Sequence, residues 1–297
     1  MAVDWTSHKA HRKYVAEKFG QWVGLVDENG EPMFTAPPVV SQSAPKLRNE
    51  AGAIRVTFRV RSPQGVVHPL VDELIGQGLG DVDREGVLVV HSGPSRFLVI
   101  EKPGGVRLEY RITHAVASGQ GSAPYLLEVH GVQIVRTLSL LPSMSAPTTW
   151  QNNWTEFTRD WVGPEDELIT FDRPRNLTGI KMVTVADGAT ISGPAESSIR
   201  RMINMTLEAC FRVMGVMDDP PIRVNPTPTG VHSENVLIRR TDGPLWEEIA
   251  AVAAFSGVQV SMRMWWPGDD PEPWAVLDKP TMIVDVKQSE EAPNVAG

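Results

Sequence analysis

Alternation of apolar with charged or hydroxyl residues is the feature of this sequence that most constrains its fold. Between residues 54 and 61 every second side chain is apolar, and arginine or threonine stands between them. The same period of two returns between residues 106 and 116. Because successive side chains of a β-strand point to opposite faces, the pattern predicts strands with one buried and one exposed face. The first half of the chain is therefore expected to be an antiparallel β domain.

Turn residues and short apolar runs place further strands around these two. Pro103-Gly104-Gly105 is a turn signal, and Asp27-Glu28-Asn29-Gly30 is another. Six or so short strands within about 140 residues predict a closed or sandwich-like β domain over residues 1–145. The strands are expected near 22–26, 54–61, 87–91, 96–101, 106–116 and 125–130.

The second half has a different character. Prolines and small hydroxyl residues are concentrated between 141 and 150, so we place a domain boundary near residue 145. Within 146–297, apolar residues at helical spacing predict helices over about 194–214 and about 243–255. The fold class expected from the whole chain is β-rich α+β.

Charge and composition exclude several classes of protein. The 297 residues carry a net charge of −8 with both signs interleaved, which argues against a basic groove that binds DNA tightly. The single cysteine, Cys210, cannot form an internal disulfide and is expected to be buried. The N-terminus does not read as a signal peptide, and no apolar run is long enough to predict a membrane-spanning segment.

Motifs of catalysis and of cofactor binding are not found. The glycines of Gly76-Gln77-Gly78-Leu79-Gly80 have the wrong spacing for a dinucleotide site. His8 and His11 lack further ligands for zinc and are expected to be exposed, while His114 and His130 fall on strands expected to be neighbours. We therefore predict no catalytic residue, no cofactor and no metal, and the chain is not expected to be an enzyme.

Two clusters combine tryptophans with carboxylates. The six tryptophans are Trp150, Trp154, Trp161, Trp265, Trp266 and Trp274, and the carboxylates are Glu156, Asp160, Asp269, Asp270 and Glu272. Sugar-processing sites use aromatic platforms and a carboxylate pair, so a carbohydrate-binding or glycan-hydrolysing β protein is one alternative. Large aromatic residues also anchor contacts between chains, and the prolines around the second cluster favour a protruding contact loop. We therefore predict that the six tryptophans are interface residues.

Two stretches of the chain resemble a known family. The first is Arg96-Phe97-Leu98-Val99-Ile100, with Arg107-Leu108-Glu109-Tyr110-Arg111-Ile112 and Tyr125-Leu126-Leu127-Glu128-Val129-His130-Gly131-Val132. It resembles the N-terminal barrel of phage tail hub proteins, which include siphophage tail-associated (minor tail) proteins and the baseplate hubs of contractile tails. The helix at 197–215 and the helix-turn-strand at 241–260 resemble the second half of such hubs. Together the stretches cover about half of the chain.

The resemblance implies an architecture and a role. It implies two barrel-like domains per chain, the second interrupted by an α/β insertion, and a homotrimer that closes the tail tube at the virion tail tip. It also implies synthesis in the host cytoplasm, a channel through which DNA passes without specific binding, and three kinds of partner. These are the distal tail protein, the tape measure protein and tip or receptor-binding proteins. A distal tail protein, which forms a hexameric ring, is the nearest alternative.

Overall fold

The structure is a computed structural model. It describes residues 3–76, 94–119, 123–144, 154–159, 176–183 and 190–290. For 154–159 and 176–183 it describes the backbone alone. The strand predicted at 87–91 lies outside these residues.

A seven-stranded antiparallel sheet dominates the first half. Its strands are β1 (Trp22–Val26), β2 (Pro32–Thr35), β3 (Val39–Ser43), β4 (Ala53–Arg59), β5 (Phe97–Glu101), β6 (Arg107–Ser118) and β7 (Leu126–Gln133). Their order across the sheet is β2-β1-β5-β6-β7-β4-β3. The meander β5-β6-β7 and the hairpin β1-β2 are those that the turn signals predict. The β-rich character of the first half is thus confirmed.

The two edge strands of the sheet are not paired with each other in the described part of the chain. These strands, β2 and β3, are consecutive in sequence and separated by Ala36, Pro37 and Pro38 alone, so both edges meet at this corner. Pro37 and Pro38 have no N–H to donate across the gap, which explains why pairing stops there. The closed form of the predicted barrel is therefore not observed.

Two hydrophobic clusters cover the two faces of this sheet. One lies against one face and contains Leu25, Leu98 and Tyr110 among other residues. The other lies against the opposite face, where Trp22 and Phe97 meet the helices and strands of the second half. Because β1 and β5 are buried on both faces, their sequences are nearly continuous apolar runs rather than alternating ones.

The second half adds short sheets and two helices. The strands are β8 (Trp154–Arg159), β9 (Asn176–Val183), β10 (Ile191–Pro194), β11 (Ile222–Val224), β12 (Asn235–Ile238), β13 (Val258–Trp265) and β14 (Thr281–Gln288). β8 pairs with β9 and β10 with β12, while β14 lies between β11 and β13. These pieces do not form a second barrel among the described residues.

Both predicted helices are present. The first, Ala195–Met214, buries Ile199, Met202 and Leu207 as its apolar stripe predicts and ends at Gly215, whose φ of 72° is left-handed. Met214, which sequence periodicity places on the same stripe, is exposed because it lies in the last turn. The second helix, Leu245–Phe255, begins two residues later than predicted. No helix in the described ranges is long and apolar enough to cross a membrane.

A helix that sequence periodicity does not predict precedes the sheet. It is α1 (Trp5–Phe19), and the two helices above are α2 and α3. Asp4 caps it by accepting a hydrogen bond from the Ser7 N–H at 3.0 Å. Its buried residues are Arg12 and Ala16, not an apolar stripe. A helix whose inner face is charged gives no hydrophobic signal, which is why the apolar pattern misses it.

The two halves share a core across the predicted boundary. The hydrophobic cluster on the outer face of the sheet contains residues from both sides of position 145. Backbone hydrogen bonds also cross: the Leu245 N–H donates to the Leu141 carbonyl at 2.9 Å, and the Ser143 N–H donates to Gly243 at 2.8 Å. The boundary remains a prediction, and the halves are packed as one body of described residues.

Candidate functional site

A charged cleft lies where α1, β5, β6 and the loop after β13 meet. It is open to solvent and has a volume of about 850 Å³. Helix α1 contributes Arg12, and the period of two along β6 brings Arg107 and Glu109 to the same wall. Asp269 enters from the loop that follows β13. The cleft thus gathers charged side chains that are far apart in sequence, such as Arg12 and Asp269.

Four of these side chains form an ion-pair network, which we call the clasp: Arg12, Glu101, Arg107 and Asp269. Glu101 Oε2 accepts from Arg12 Nε at 3.0 Å and from Arg107 Nε at 3.3 Å. Asp269 accepts two parallel hydrogen bonds from Arg107, at 2.8 and 3.0 Å. Two parallel hydrogen bonds of this kind fix the orientation of the carboxylate relative to the guanidinium and also pair their charges. The clasp therefore ties helix α1 and the sheet to the loop after β13.

A tight turn presents Asp269 to the clasp. The Asp269 N–H donates to the Trp266 carbonyl at 2.9 Å, and the Asp269 carboxylate accepts the Trp266 N–H at 2.9 Å. Gly268 has a φ of 89°, which a side chain would strain. The short sequence Trp266-Pro267-Gly268-Asp269 is thus shaped so that one carboxylate serves both the turn and Arg107.

Trp266 is the platform beneath the clasp. It is 0% exposed, and its indole N–H donates to the Gly30 carbonyl at 2.8 Å. The guanidinium carbons of Arg12 and Arg107 lie 4.5 and 4.2 Å from its ring centre. Cation–π contacts that are shielded from water contribute about 2 kcal/mol or more each. The indole therefore stabilises two cations at once and anchors the loop to the β1–β2 turn.

Burial and charge shift the pKa values of two groups in or beside the clasp, His8 and Asp269. Burial lowers the pKa of His8 to about 4, and the nearby charge of Arg12 adds to the effect. The neutral ring accepts a hydrogen bond from Arg12 Nη1 on Nδ1 at 2.6 Å. Burial alone would raise the pKa of Asp269, but the hydrogen bonds and charge of Arg107 outweigh it and lower that pKa. The prediction that His8 is exposed is wrong, because its ring packs against Trp5, Trp22 and Trp266.

Glu109 is the most perturbed carboxyl of the cleft. Burial raises its pKa to about 7, against an ordinary value of 4.5, although Arg107 opposes the shift. Its Oε1 accepts the Met264 N–H at 3.3 Å, so the side chain is held between β6 and β13. Sequence alternation places Glu109 on the outer face of its strand, and the second half of the chain covers that face. No local signal reports this burial.

We expect Glu109→Gln to reduce the pH dependence of stability. Between about pH 4.5 and 7 the folded chain keeps a proton that the unfolded chain has released, so the contribution of Glu109 is lost as the pH rises. A pKa shift of this size changes the free energy of unfolding by about 3 kcal/mol across that pH range. The free energy of unfolding, measured in urea, should therefore decrease less between pH 4.5 and pH 8 in the variant than in the wild type. His8 titrates in the opposite direction but is common to both proteins, so it cancels from the comparison. An equal decrease in both would contradict the assignment.

Two of the three carboxylates around the second tryptophan cluster are already engaged, and the third, Asp270, is exposed. Asp269 pairs with Arg107, and Glu272 pairs with Arg263 at 2.7 Å. A glycan-hydrolysing site needs a carboxylic acid and a second carboxylate that face an open sugar subsite. Asp269 and Glu272 instead hold the loop in place. Asp160 lies outside the described residues, and the side chain of Glu156 is not described, so the first cluster stays a prediction.

The six predicted interface tryptophans have different fates. Trp150 and Trp161 lie outside the described residues, and Trp154 begins β8 with no side chain described. Trp265 and Trp266 are buried within the chain, so their rings already pack internally. Trp274 is half-buried, and its indole N–H donates to Glu272 Oε2 at 3.0 Å. The interface role remains a prediction, and Trp274 is the described member with ring surface left to offer.

Other sequence candidates show no reactive arrangement. His114 and His130 meet as the strand prediction suggests: they are paired across β6 and β7, and their rings stack with centres 4.3 Å apart. His130 Nε2 lies 2.6 Å from Glu128 Oε1. Cys210 is buried, and burial raises its pKa. In the described ranges, no group of three or more His, Cys, Asp or Glu side chains is placed to hold a metal ion.

Comparisons with known proteins give distant neighbours. No family model matches the chain, and no curated protein matches it. A tail protein from Neisseria meningitidis is 11% identical with a TM-score of 0.32, over 89% of this chain and 50% of that one. The E. coli c3393 protein is a component of the type VI secretion system that resembles the T4 bacteriophage tail proteins gp27 and gp5. It is 7% identical with a TM-score of 0.29, over 91% and 45%. The chain spans about half the length of both structures, and TM-scores this low do not establish a shared fold.

Proposed function

We propose that the chain is a structural component of a phage tail tip or baseplate hub. In this role it forms a trimeric ring that closes the tail tube, links it to tip or receptor-binding proteins and leaves a channel for DNA ejection. The resemblance of 96–141, 197–215 and 241–260 to tail hub proteins supports the identity. One structural observation carries the assembly role: an apolar groove lies beside an edge of the large sheet that no strand in the described part of the chain covers.

This groove, which we call the proline–valine groove, is lined chiefly by Pro37, Pro38, Val40 and Val66. It has a volume of about 580 Å³. Val66 is 67% exposed, and Val40 is exposed as well. Contiguous exposed apolar surface of this kind is unusual on a protein that works alone and is typical of a contact site. The groove therefore supports a role in which another chain covers it.

The neighbouring strand is also left unpaired on one side. In the described residues β3 pairs with β4 alone, and β2 pairs with β1 alone. A sheet edge presents free N–H and C=O groups to which a strand of another chain can bind. By contrast, the ionised groups of the clasp are paired with one another. The proline–valine groove and the sheet edge are available to another chain, whereas the charged groups of the clasp already bind one another. This combination favours assembly over turnover of a substrate.

The finer features of the role are proposals of the same kind. Distal tail, tape measure and tip or receptor-binding proteins are the proposed partners, and the virion tail tip is the proposed location. A hexameric distal tail protein would use similar open edges and remains the second candidate. The number of copies in the assembled ring separates the two.

Val66→Asp is expected to lower the yield of complete tails. A carboxylate in place of the valine must be desolvated in an apolar contact, which is unfavourable, and 1.4 kcal/mol already corresponds to about a tenfold loss of affinity. Val213→Asp on α2 is the matched control, because Val213 is 83% exposed. Complementation of a strain that lacks the gene, scored by electron microscopy of the particles, measures the yield. Equal yields of complete tails from the two variants would show that the groove does not contribute to assembly.

A further inference from the structure

We infer that the proline–valine groove of one copy receives the loop tip 274–278 of a second copy of this chain, so that copies associate head to tail. The inference rests on the proposed assembly role and specifies the contact between its subunits. Four properties of the two surfaces support it: exposed apolar area, charge, the fixed conformation of the loop and position on the fold.

The loop tip offers an apolar residue with nothing to pack against. Val276 is 96% exposed, the highest value among the large hydrophobic residues that the structure describes. Leu277 and Trp274 beside it are half-buried. A single exposed valine is ordinary, but here it follows a stretch of the same loop that ion pairs and hydrogen bonds hold in place. The groove, in turn, offers a concave apolar floor without an occupant among the described residues.

The charges of the two surfaces are opposite. The loop from 267 to 278 contains four acidic residues and no lysine or arginine. Of the four, Asp270 and Asp278 make no ion pair within the described part of the chain. The groove is lined by Arg59 and Arg61 and by no acidic residue. Arg59 forms no ion pair among the described residues, and Arg61 stacks on the Tyr125 ring at 5.0 Å. Complementary charge of this kind steers a contact and fixes its register.

The loop is preorganised for such a contact. Asp269 is held by the clasp, Glu272 by Arg263, and the indole of Trp265 donates to the Asp270 carbonyl at 2.9 Å. At its far end Pro280 packs against Gly30, where an added Cβ would lie 2.6 Å from the proline. A loop fixed before binding loses little conformational entropy when it docks.

Position on the fold makes the contact intermolecular. The loop is anchored at Gly30, before β2, whereas the groove begins at Pro37, after β2. An extended strand of this length separates them by roughly 20 Å. The loop tip therefore does not fill the groove of its own chain, as the exposure of Val276 shows. Because two different surfaces meet, repetition of the contact generates a ring or a filament rather than a closed two-fold dimer.

Cysteine cross-linking tests this contact. One protein carries Val276→Cys and the other carries Val66→Cys, and the two are mixed under mild oxidation. The control mixture pairs Val276→Cys with Val213→Cys, which is also highly exposed. All three positions are exposed, so folding is unaffected, and the natural Cys210 is buried. The 66–276 mixture is expected to give a dimer on a non-reducing gel about tenfold faster than the control, because docking raises the effective concentration of the two thiols.

Two results would overturn the inference. One is equal rates in the 66–276 and 213–276 mixtures. The other is faster cross-linking of Val276→Cys with itself, which would indicate a two-fold contact between loops. Either result would leave the proposed function intact if the chain is found in a ring at the tail tip. Absence of the chain from the particle would overturn the proposed function, whatever the cross-linking shows.

Discussion

Trp266→Ala is expected to lower the free energy of unfolding by about 3–5 kcal/mol. The indole is fully buried, so its removal leaves a large cavity in the shared core. The change also removes the surface against which Arg12 and Arg107 stack, and it leaves the Gly30 carbonyl without its donor. Chemical denaturation followed by circular dichroism measures the loss.

Trp274→Ala is the matched control for this change. Trp274 belongs to the same loop but is half-buried, and its indole bonds a side chain of that loop. Removal of the Trp274 ring is expected to lower the free energy of unfolding by no more than about 1 kcal/mol. A comparable destabilisation by both variants would show that Trp266 has no special role as the platform of the clasp.

Asp269→Asn is expected to lower the free energy of unfolding by about 3–5 kcal/mol, because it leaves buried cations with too little compensating charge. Arg107 would lose its bidentate partner, and Arg12 would lose the carboxylate that lies 3.8 Å from its Nη2. The lowered pKa of Asp269 means that its contribution is present above its ordinary pKa of 3.8 and is lost as the pH falls through the folded value. The difference in the free energy of unfolding between variant and wild type should therefore be largest at pH 7 and become smaller in strong acid.

Asp270→Asn provides the comparison for Asp269→Asn. It makes the same chemical change one residue later, on a side chain that is exposed and forms no ion pair among the described residues. Surface changes of this kind stay within about 0.5 kcal/mol. If urea unfolding at pH 7 gave the same midpoint for both variants, the clasp would not be a significant source of stability.

Local patterns predicted the local structure well. The strands β4 and β6 follow from alternation, β7 follows from turn residues and a short apolar run, and α2 follows from an apolar stripe that ends at Gly215. Each of these signals depends on neighbours in the sequence and on one buried face. An element that is buried on one face has a periodic apolar pattern, so it can be recognised from the sequence directly.

Long-range packing could not be read in the same way. Alternation puts Glu109 on the outer face of β6, yet β13 covers that face. Helix α1 buries Arg12 rather than leucines, so no apolar stripe marks it. The clasp joins residues from four separate elements, and no spacing rule connects them. The open corner between β2 and β3 likewise depends on the arrangement of the whole sheet.

In the proposed function, this chain assembles with copies of itself at a tail tip. An electron cryo-microscopy map of the purified particle tests this role most directly, because the map gives both the place of the chain and its copy number. We expect a ring of three copies at the tip, with each proline–valine groove covered by a neighbouring chain. Six copies would favour the distal tail protein. A particle without this chain, or copies whose grooves remain open to solvent, would contradict the proposed role.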